Sequence, residues 1–92
     1  MTVAYVAGGD EVRFAYAIGR PVGPAVVRNR VRRRLRAAAR EIDIATRGLP
    51  RGAYLVSVRP AAAHASYAAL RDDLAAALRA VAADVPTDLA ER

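Results

Sequence analysis

The chain is 92 residues long, which suffices for one small domain and leaves no room for a second core. It contains no Cys, which excludes disulfide bonds, a thiolate nucleophile and a Cys-based zinc site, and it shows neither an apolar run of membrane-spanning length nor a signal-peptide layout. We therefore expect one cytoplasmic domain over residues 1–83, without a membrane partner, and a frayed tail over residues 84–92.

The positive charge is concentrated in one segment. The net charge is +6, but residues 20–40 contain eight Arg and no acidic residue, whereas the rest of the chain has seven Arg against nine Asp and Glu. A focused positive field attracts phosphate groups more strongly than scattered charges do. The segment therefore predicts a polyanion-binding site, with nucleic acid as the first candidate partner, in preference to an ordinary solvated helix face.

Three stretches of the sequence are typical of β-strands. Residues 2–7 are rich in β-branched and aromatic side chains, and residues 12–18 alternate bulky with small or charged side chains. A Gly-rich turn separates them, so we expect an antiparallel hairpin. Residues 53–58 (AYLVSV) predict a third, largely buried strand.

Two amphipathic helices are predicted between and after these strands. Pro24 suits the start of the first helix, which should run from about Ala25 to Glu41 with an apolar stripe on one side and Arg on the other. Ser66 is a plausible N-cap for the second helix. Its apolar stripe recurs at spacings of three and four residues: Tyr67, Leu70, Leu74, Leu78 and Val81.

The sequence offers no catalytic constellation. His64 is the sole His and has no Cys or second His to complete a metal set, so a loop or cap role is the better interpretation. Asp72 and Asp73 are helix neighbours whose side chains diverge, unlike a general acid and base pair. We therefore expect a binding module with no catalytic residues of its own and no cofactor held by the protein alone.

One segment carries a family resemblance. Residues 22–36 read VGPAVVRNRVRRRLR, which closely resembles the signature of the protein component of bacterial ribonuclease P. A Val-Gly and a small apolar lead-in precede Arg-Asn, and further basic residues follow at helical spacing. The flanks also fit, with two strands before the motif and, after it, a β-rich run that closes in Arg59 and Pro60. The resemblance covers about residues 2–82.

The resemblance implies a fold and an activity. The fold is a small α+β domain with a central sheet, in which the basic helix makes an unusual left-handed crossover between parallel strands, and with a C-terminal amphipathic helix. The protein would be an RNA-binding subunit of the ribonuclease P holoenzyme, an endoribonuclease. Its catalytic RNA removes the 5′ leader from precursor tRNA with Mg²⁺ held at the RNA active site. The implied partners are the catalytic RNA and precursor tRNA, with no obligate protein partner.

The resemblance also assigns RNA-binding residues. Five positions match the signature directly: Arg28, Asn29, Arg32, Arg33 and Arg36. Two further Arg of the same helix, Arg30 and Arg40, complete the predicted RNA-binding set. Planar guanidiniums suit bidentate phosphate contacts. A cleft on the sheet should hold the single-stranded leader, with Tyr5, which could stack on a base, and Arg20 as candidates for contact.

The sequence departs from the family pattern in two places. The family normally begins with a helix bearing aromatic residues that completes one wall of the leader cleft, and here Met1 stands directly before the first predicted strand. That wall is therefore expected to be missing. Arg20 and Pro21 replace two Lys common in the family, and Pro24 replaces a frequent Asn. We expect this loop to contact RNA less.

Two other functions remain open on the sequence alone. Charge by itself is compatible with an architectural protein that places the Arg-rich helix in the major groove of double-stranded DNA. That hypothesis predicts a preference for duplex DNA over structured RNA. A self-sufficient nuclease would need Mg²⁺-dependent cleavage by the protein without RNA, and no residue set supports it.

Overall fold

The computed structural model describes residues 1–83, which form three strands and two α-helices. In chain order these elements are β1 (Thr2–Ala7), β2 (Val12–Ala17), α1 (Ala25–Ala45), β3 (Gly52–Ser57) and α2 (Tyr67–Ala83). Short 3-10 helices precede α1 at Arg20–Val22 and α2 at Pro60–His64. The predicted α+β class is confirmed, and the predicted frayed tail lies outside the described residues.

The three strands form one sheet in the order β1-β3-β2. β3 pairs antiparallel with β1 and parallel with β2. The predicted β1–β2 hairpin is therefore wrong, because β3 lies between these two strands and takes the backbone hydrogen bonds of both. The turn at residues 8–11 spans two strand spacings, about 10 Å. The parallel β2-α1-β3 connection is as predicted, and its left hand stays a prediction.

Residues 1–83 cover only one face of the sheet. Tyr54 and Val56 of β3 are buried, whereas Ala53 and Leu55 are exposed on the opposite face, so the prediction that β3 is largely buried holds for alternate residues only. A strand with one solvated face shows this period of two, as all three strands here do. Both helices contribute their buried residues to the single core on the covered face.

Helix α1 packs through its apolar stripe. Val31, Leu35, Ala38 and Ile42 are buried, as the sequence pattern predicts. The helix continues to Ala45, one turn beyond the predicted end at Glu41. It ends where Arg47 and Gly48 adopt positive φ angles of 60° and 105°, a left-handed conformation typical of helix C-termini.

Helix α2 begins at the predicted cap. The Ser66 hydroxyl accepts a hydrogen bond from the Ala69 backbone N–H at 3.1 Å, which satisfies one of the free donors of the first turn. Leu70, Leu74 and Leu78 are buried against the core. Across residues 1–83, the helices lack the length of apolar sequence that crossing a bilayer requires.

Candidate nucleic-acid interface

The Arg residues of α1 lie on both sides of its apolar stripe. At 3.6 residues per turn, the stripe separates two flanks of the helix. Arg30 and Arg34 lie on one flank. The other flank and the solvent-facing top carry the remaining polar set, which we call the basic face: Arg28, Asn29, Arg32, Arg33, Arg36 and Arg40. The structure therefore brings together six of the seven predicted RNA-binding residues and separates Arg30 from them.

No carboxylate of residues 1–83 forms an ion pair with the basic face. The ion pairs formed within residues 1–83 join Arg71 to Glu41 and to Asp72, so none involves an Arg of α1. Asn29 accepts a hydrogen bond from Arg32 through its side-chain oxygen at 2.8 Å, which leaves its amide group available as a donor. Arg33, Arg36 and Arg40 are exposed. Within residues 1–83, no ion pair therefore competes with an external anion for this surface.

Arg30 and Arg34 bind the protein itself. The Arg30 guanidinium donates to the Ala63 carbonyl at 3.3 Å, and the Arg34 guanidinium donates to the Ala65 carbonyl at 3.2 Å. Both carbonyls belong to the turn between β3 and α2. Both Arg side chains are half-buried, and the Arg30 Nε is covered without an acceptor among the described residues. These two cations hold that turn against α1.

A cleft lies between the basic face and strand β2. Its volume is about 290 Å³, close to the lower end of the roughly 300–1,000 Å³ typical of small-ligand sites. Phe14 and Tyr16 form its aromatic side, and Arg36 and Arg40 form its cationic side. Val12, Ala39 and Asp43 complete the lining. The cleft combines the stacking surface and the positive charge that single-stranded nucleic acid requires.

An aromatic row crosses the covered face of the sheet and ends in this cleft. The ring centroids of Tyr5 and Tyr54 are 4.8 Å apart, and those of Tyr54 and Phe14 are 5.0 Å apart. Phe14 and Tyr16 follow at 6.2 Å, with their planes 10° apart. The strand register produces this row because Tyr54 lies opposite both Tyr5 and Phe14. The Tyr54 ring thus supports the aromatic wall from within the core.

The two candidates for leader contact do not line the cleft. Tyr5 packs its ring on Tyr54 at the far edge of the sheet, and its hydroxyl donates to the Arg51 carbonyl. Arg20 is exposed in the 3-10 helix before α1. Sequence reasoning missed Phe14 and Tyr16 as site residues. Their alternation in β2 was the available signal, since it places both rings on one face of the strand.

Two Tyr hydroxyls on this face remain protonated near neutral pH. Burial raises the pKa of Tyr16, and the Arg36 guanidinium partly opposes that shift. Burial raises the pKa of Tyr54 to about 12, with smaller contributions from Tyr5 and from the Asp43 carboxylate. The Tyr54 hydroxyl donates to the Pro50 carbonyl at 2.5 Å. The Tyr16 hydroxyl is therefore a hydrogen-bond donor at the cleft.

Gly52 fixes the entry to β3 beside the row. Its φ angle of 146° favours glycine, and a Cβ there would lie 2.5 Å from the Val6 carbonyl oxygen and 2.6 Å from a Tyr5 ring carbon. Only glycine fits such a close approach. Any side chain at this position would displace the aromatic row.

The remaining ionisable residues of positions 1–83 do not converge. His64 is exposed in the Pro60–His64 turn, and Asp72 is an exposed partner of Arg71. No group of three or more His, Cys, Asp or Glu side chains within residues 1–83 is arranged to hold a metal ion.

The fold and the charge distribution define a small α+β domain with an unneutralised basic helix beside an aromatic cleft. The family model for Ribonuclease P matches residues 1–82, and the chain belongs to this family. Its sequence is 49% identical over 72 residues to the ribonuclease P protein component of Salinispora tropica, covering 77% of this chain and 51% of that protein.

Two further relatives carry the same name. The protein from Nocardioides sp. is 46% identical over 74 residues, which cover 79% of this chain and 61% of that protein. The protein from Thermus scotoductus is 42% identical over 70 residues, which cover 76% of this chain and 40% of that protein. The chain thus spans about half the length of these relatives. No solved structure gives a significant match.

Proposed function

We propose that this chain is an RNA-binding protein subunit of ribonuclease P, and that it assists the catalytic RNA in removing the 5′ leader from precursor tRNA. Family membership supports the subunit role. The observation that carries the RNA-binding step is the basic face, whose Arg residues form no ion pair with any carboxylate of residues 1–83. A cationic helix that its own fold leaves uncompensated is stabilised by phosphates, because like charges four residues apart otherwise repel.

In this proposal the basic face and the cleft bind different parts of the RNA. Arg28, Arg32 and Arg33 would contact phosphates of the catalytic RNA or of the substrate beside it, and the Asn29 amide would donate to a base edge or a sugar. Arg36 and Arg40 lie where the basic face meets the cleft. This continuity lets one RNA surface pass from the helix into the cleft.

The cleft suits the unpaired leader. Unpaired bases stack on aromatic rings with little dependence on sequence, and their backbone follows positive charge. Phe14 and Tyr16 provide rings on one side, and Arg36 and Arg40 provide guanidiniums on the other. The leader would therefore lie with its bases towards β2 and its phosphates towards α1. Double-stranded tRNA stems cannot offer their base faces in this way.

The chemical step belongs to the RNA in this proposal. Mg²⁺ at the RNA active site would activate the attacking water and stabilise the leaving oxygen. The residues of this chain bind and orient: they neutralise phosphates that would otherwise repel one another and hold the leader beside the scissile bond. Binding energy gained from the leader favours precursor over mature tRNA, which lacks it.

The test is cleavage of precursor tRNA by the cognate catalytic RNA at low Mg²⁺ concentration and near-physiological salt, with and without the chain. We expect the chain to stimulate cleavage, and the stimulation to fall with Arg36→Ala and Arg40→Ala. Arg79→Ala is the matched control, because it removes one Arg from the other helix, outside the basic face and the cleft. The leader contribution is measured as the affinity of the holoenzyme for precursor tRNA relative to mature tRNA.

The results separate the alternatives. Absence of stimulation, together with tighter binding of duplex DNA than of the catalytic RNA, would replace this proposal with the DNA-binding hypothesis. Mg²⁺-dependent cleavage by the protein free of RNA would show instead that the chain is a nuclease. Stimulation that falls equally with Arg79→Ala would mean that net charge acts and the basic face does not.

A further inference from the structure

Asp43 is the acidic residue among the side chains that line the cleft. It lies on the last turn of α1, three residues after Arg40. A carboxylate lowers the affinity of a site for phosphate, so its presence beside Arg36 and Arg40 works against backbone binding. Its position therefore calls for a partner that donates hydrogen bonds.

The Asp43 carboxylate is held in a defined orientation. Its Oδ1 accepts a hydrogen bond from the Leu49 backbone N–H at 2.9 Å, which ties the end of α1 to the following loop. The residue is half-buried. Within residues 1–83, the other carboxylate oxygen, Oδ2, has no hydrogen-bond partner, and neither Arg36 nor Arg40 is within ion-pair distance of it. One oriented acceptor thus remains free at the cleft.

The other side chains of the cleft determine which part of a bound nucleotide can hydrogen-bond to this carboxylate oxygen. Phosphates are drawn to Arg36 and Arg40, and base faces stack on Phe14 and Tyr16. The part of the nucleotide left to hydrogen-bond with Asp43 is therefore the edge of a stacked base. Carboxylates accept hydrogen bonds from exocyclic amino groups such as N4 of cytosine, whereas the corresponding O4 of uracil is itself an acceptor. A uracil edge would place two acceptors against each other.

We propose that Asp43 is a specificity-determining residue that favours an unpaired base with an exocyclic amino group, cytosine over uracil, at one position of the leader. The inference rests on the proposed function, because it requires the leader to occupy the cleft. A hydrogen bond to a charged group is stronger than one between neutral groups, so a preference of at least about tenfold is expected.

The test uses the holoenzyme and a series of precursor tRNAs in which each leader nucleotide is in turn cytosine or uracil, with the rest of the RNA unchanged. Affinity is measured for the wild type and for Asp43→Asn. The substitution is isosteric, so the side-chain oxygen can keep the Leu49 N–H while an amide group takes the place of the free oxygen. Since an amide N–H donates to O4 of uracil, we expect the cytosine preference at one position to reverse.

Asp72→Asn is the matched control. It removes the same charge from an exposed site on α2, outside the cleft, and should leave the cytosine-to-uracil ratio unchanged while showing any general effect of charge on RNA affinity. Thermal unfolding of both variants checks that the fold is kept. Retained cytosine preference in Asp43→Asn would show that another group reads the base and would overturn the assignment.

Two further outcomes separate this inference from the proposed function. If precursor tRNA binds more tightly than mature tRNA but no leader position distinguishes cytosine from uracil, the leader binds as proposed and Asp43 does not read it. If precursor and mature tRNA bind equally, the leader does not occupy the cleft, and both the leader step and the Asp43 assignment fail.

Discussion

Helices α1 and α2 pack against the sheet in the same way and differ in the charges that they present to solvent. Each buries an apolar stripe on the covered face of the sheet, centred on Leu35 in α1 and Leu74 in α2. The charges differ. α2 carries Arg71 and Arg79 against Asp72 and Asp73, and Arg71 forms ion pairs, whereas α1 carries seven Arg against two acidic residues.

The difference shows which features of a helix report packing and which report binding. Apolar periodicity is present in both helices and predicts only that each one packs. Of the two helices, α1 alone carries a net positive charge, and among its Arg residues those that hydrogen-bond to another part of residues 1–83 are Arg30 and Arg34.

The largest expected effect is the loss of stability when the buried apolar stripe of either helix is truncated. Leu35→Ala and Leu74→Ala each remove a fully buried side chain, so each should lower the free energy of unfolding by about 2 to 4 kcal/mol. Urea unfolding measures both. Equal losses would confirm that the helices contribute alike to the core. A much smaller loss for Leu35→Ala would mean that α1 depends on RNA, and not on packing, for its position.

Alkaline pH should lower the free energy of unfolding through ionisation of Tyr54. Because burial raises the pKa of Tyr54 to about 12 from its ordinary value of 10, the unfolded state ionises first. The contribution of Tyr54 to the free energy of unfolding is then fully present below pH 10 and is lost between pH 10 and 12, by at most about 2 to 3 kcal/mol. Unfolding measured from pH 8 to 12 should show the loss, and Tyr54→Phe should reduce it.

The Tyr54→Phe variant also tests whether Tyr54 is the source of the alkaline loss of stability. Burial raises the pKa of Tyr16 as well, so a smaller alkaline loss should persist in the variant. A profile identical to that of the wild type would assign the alkaline loss to groups other than Tyr54.

The sequence predicted elements better than their arrangement. The period of α1 and the cap at Ser66 are local, and both were found in the structure. The β1–β2 hairpin was wrong because pairing is decided by a third strand far along the chain. A six-residue run rich in β-formers likewise cannot show that residues 1–83 leave one sheet face open, so Leu55 is more exposed than the sequence predicts.

The residues of the candidate site could likewise be predicted better than their arrangement. The Arg residues of α1 were visible as charge, and a helical wheel already placed Arg30 beside the apolar stripe. The cleft was not visible, because it forms between β2 and α1 and depends on how the crossover returns the helix to the sheet. Phe14 and Asp43 meet there although 29 positions separate them in sequence.

Removing one Arg from each helix tests which of the two helices binds RNA. If about five Arg of the basic face neutralise phosphates, log affinity should fall against log salt with a slope of roughly −3.5 to −4.5. Arg32→Ala or Arg36→Ala should weaken binding and flatten the slope by about 0.7 to 0.9. Arg79→Ala on α2 should leave the slope unchanged. A slope unaffected by the first two variants would contradict the assigned face.

The smallest expected effect distinguishes the two sets of Arg within α1. Arg30 and Arg34 donate to the Ala63 and Ala65 carbonyls, so Arg30→Ala should lower the free energy of unfolding by about 1 kcal/mol. Because Arg30 is turned towards the protein, its loss should leave the salt slope of RNA binding unchanged. Arg33→Ala, from the exposed top of the same helix, should do the opposite: flatten the slope and leave stability nearly unchanged. Flattening by Arg30→Ala to the same extent as by Arg33→Ala would show that RNA draws this guanidinium away from its carbonyl, and the basic face would then include all seven predicted residues.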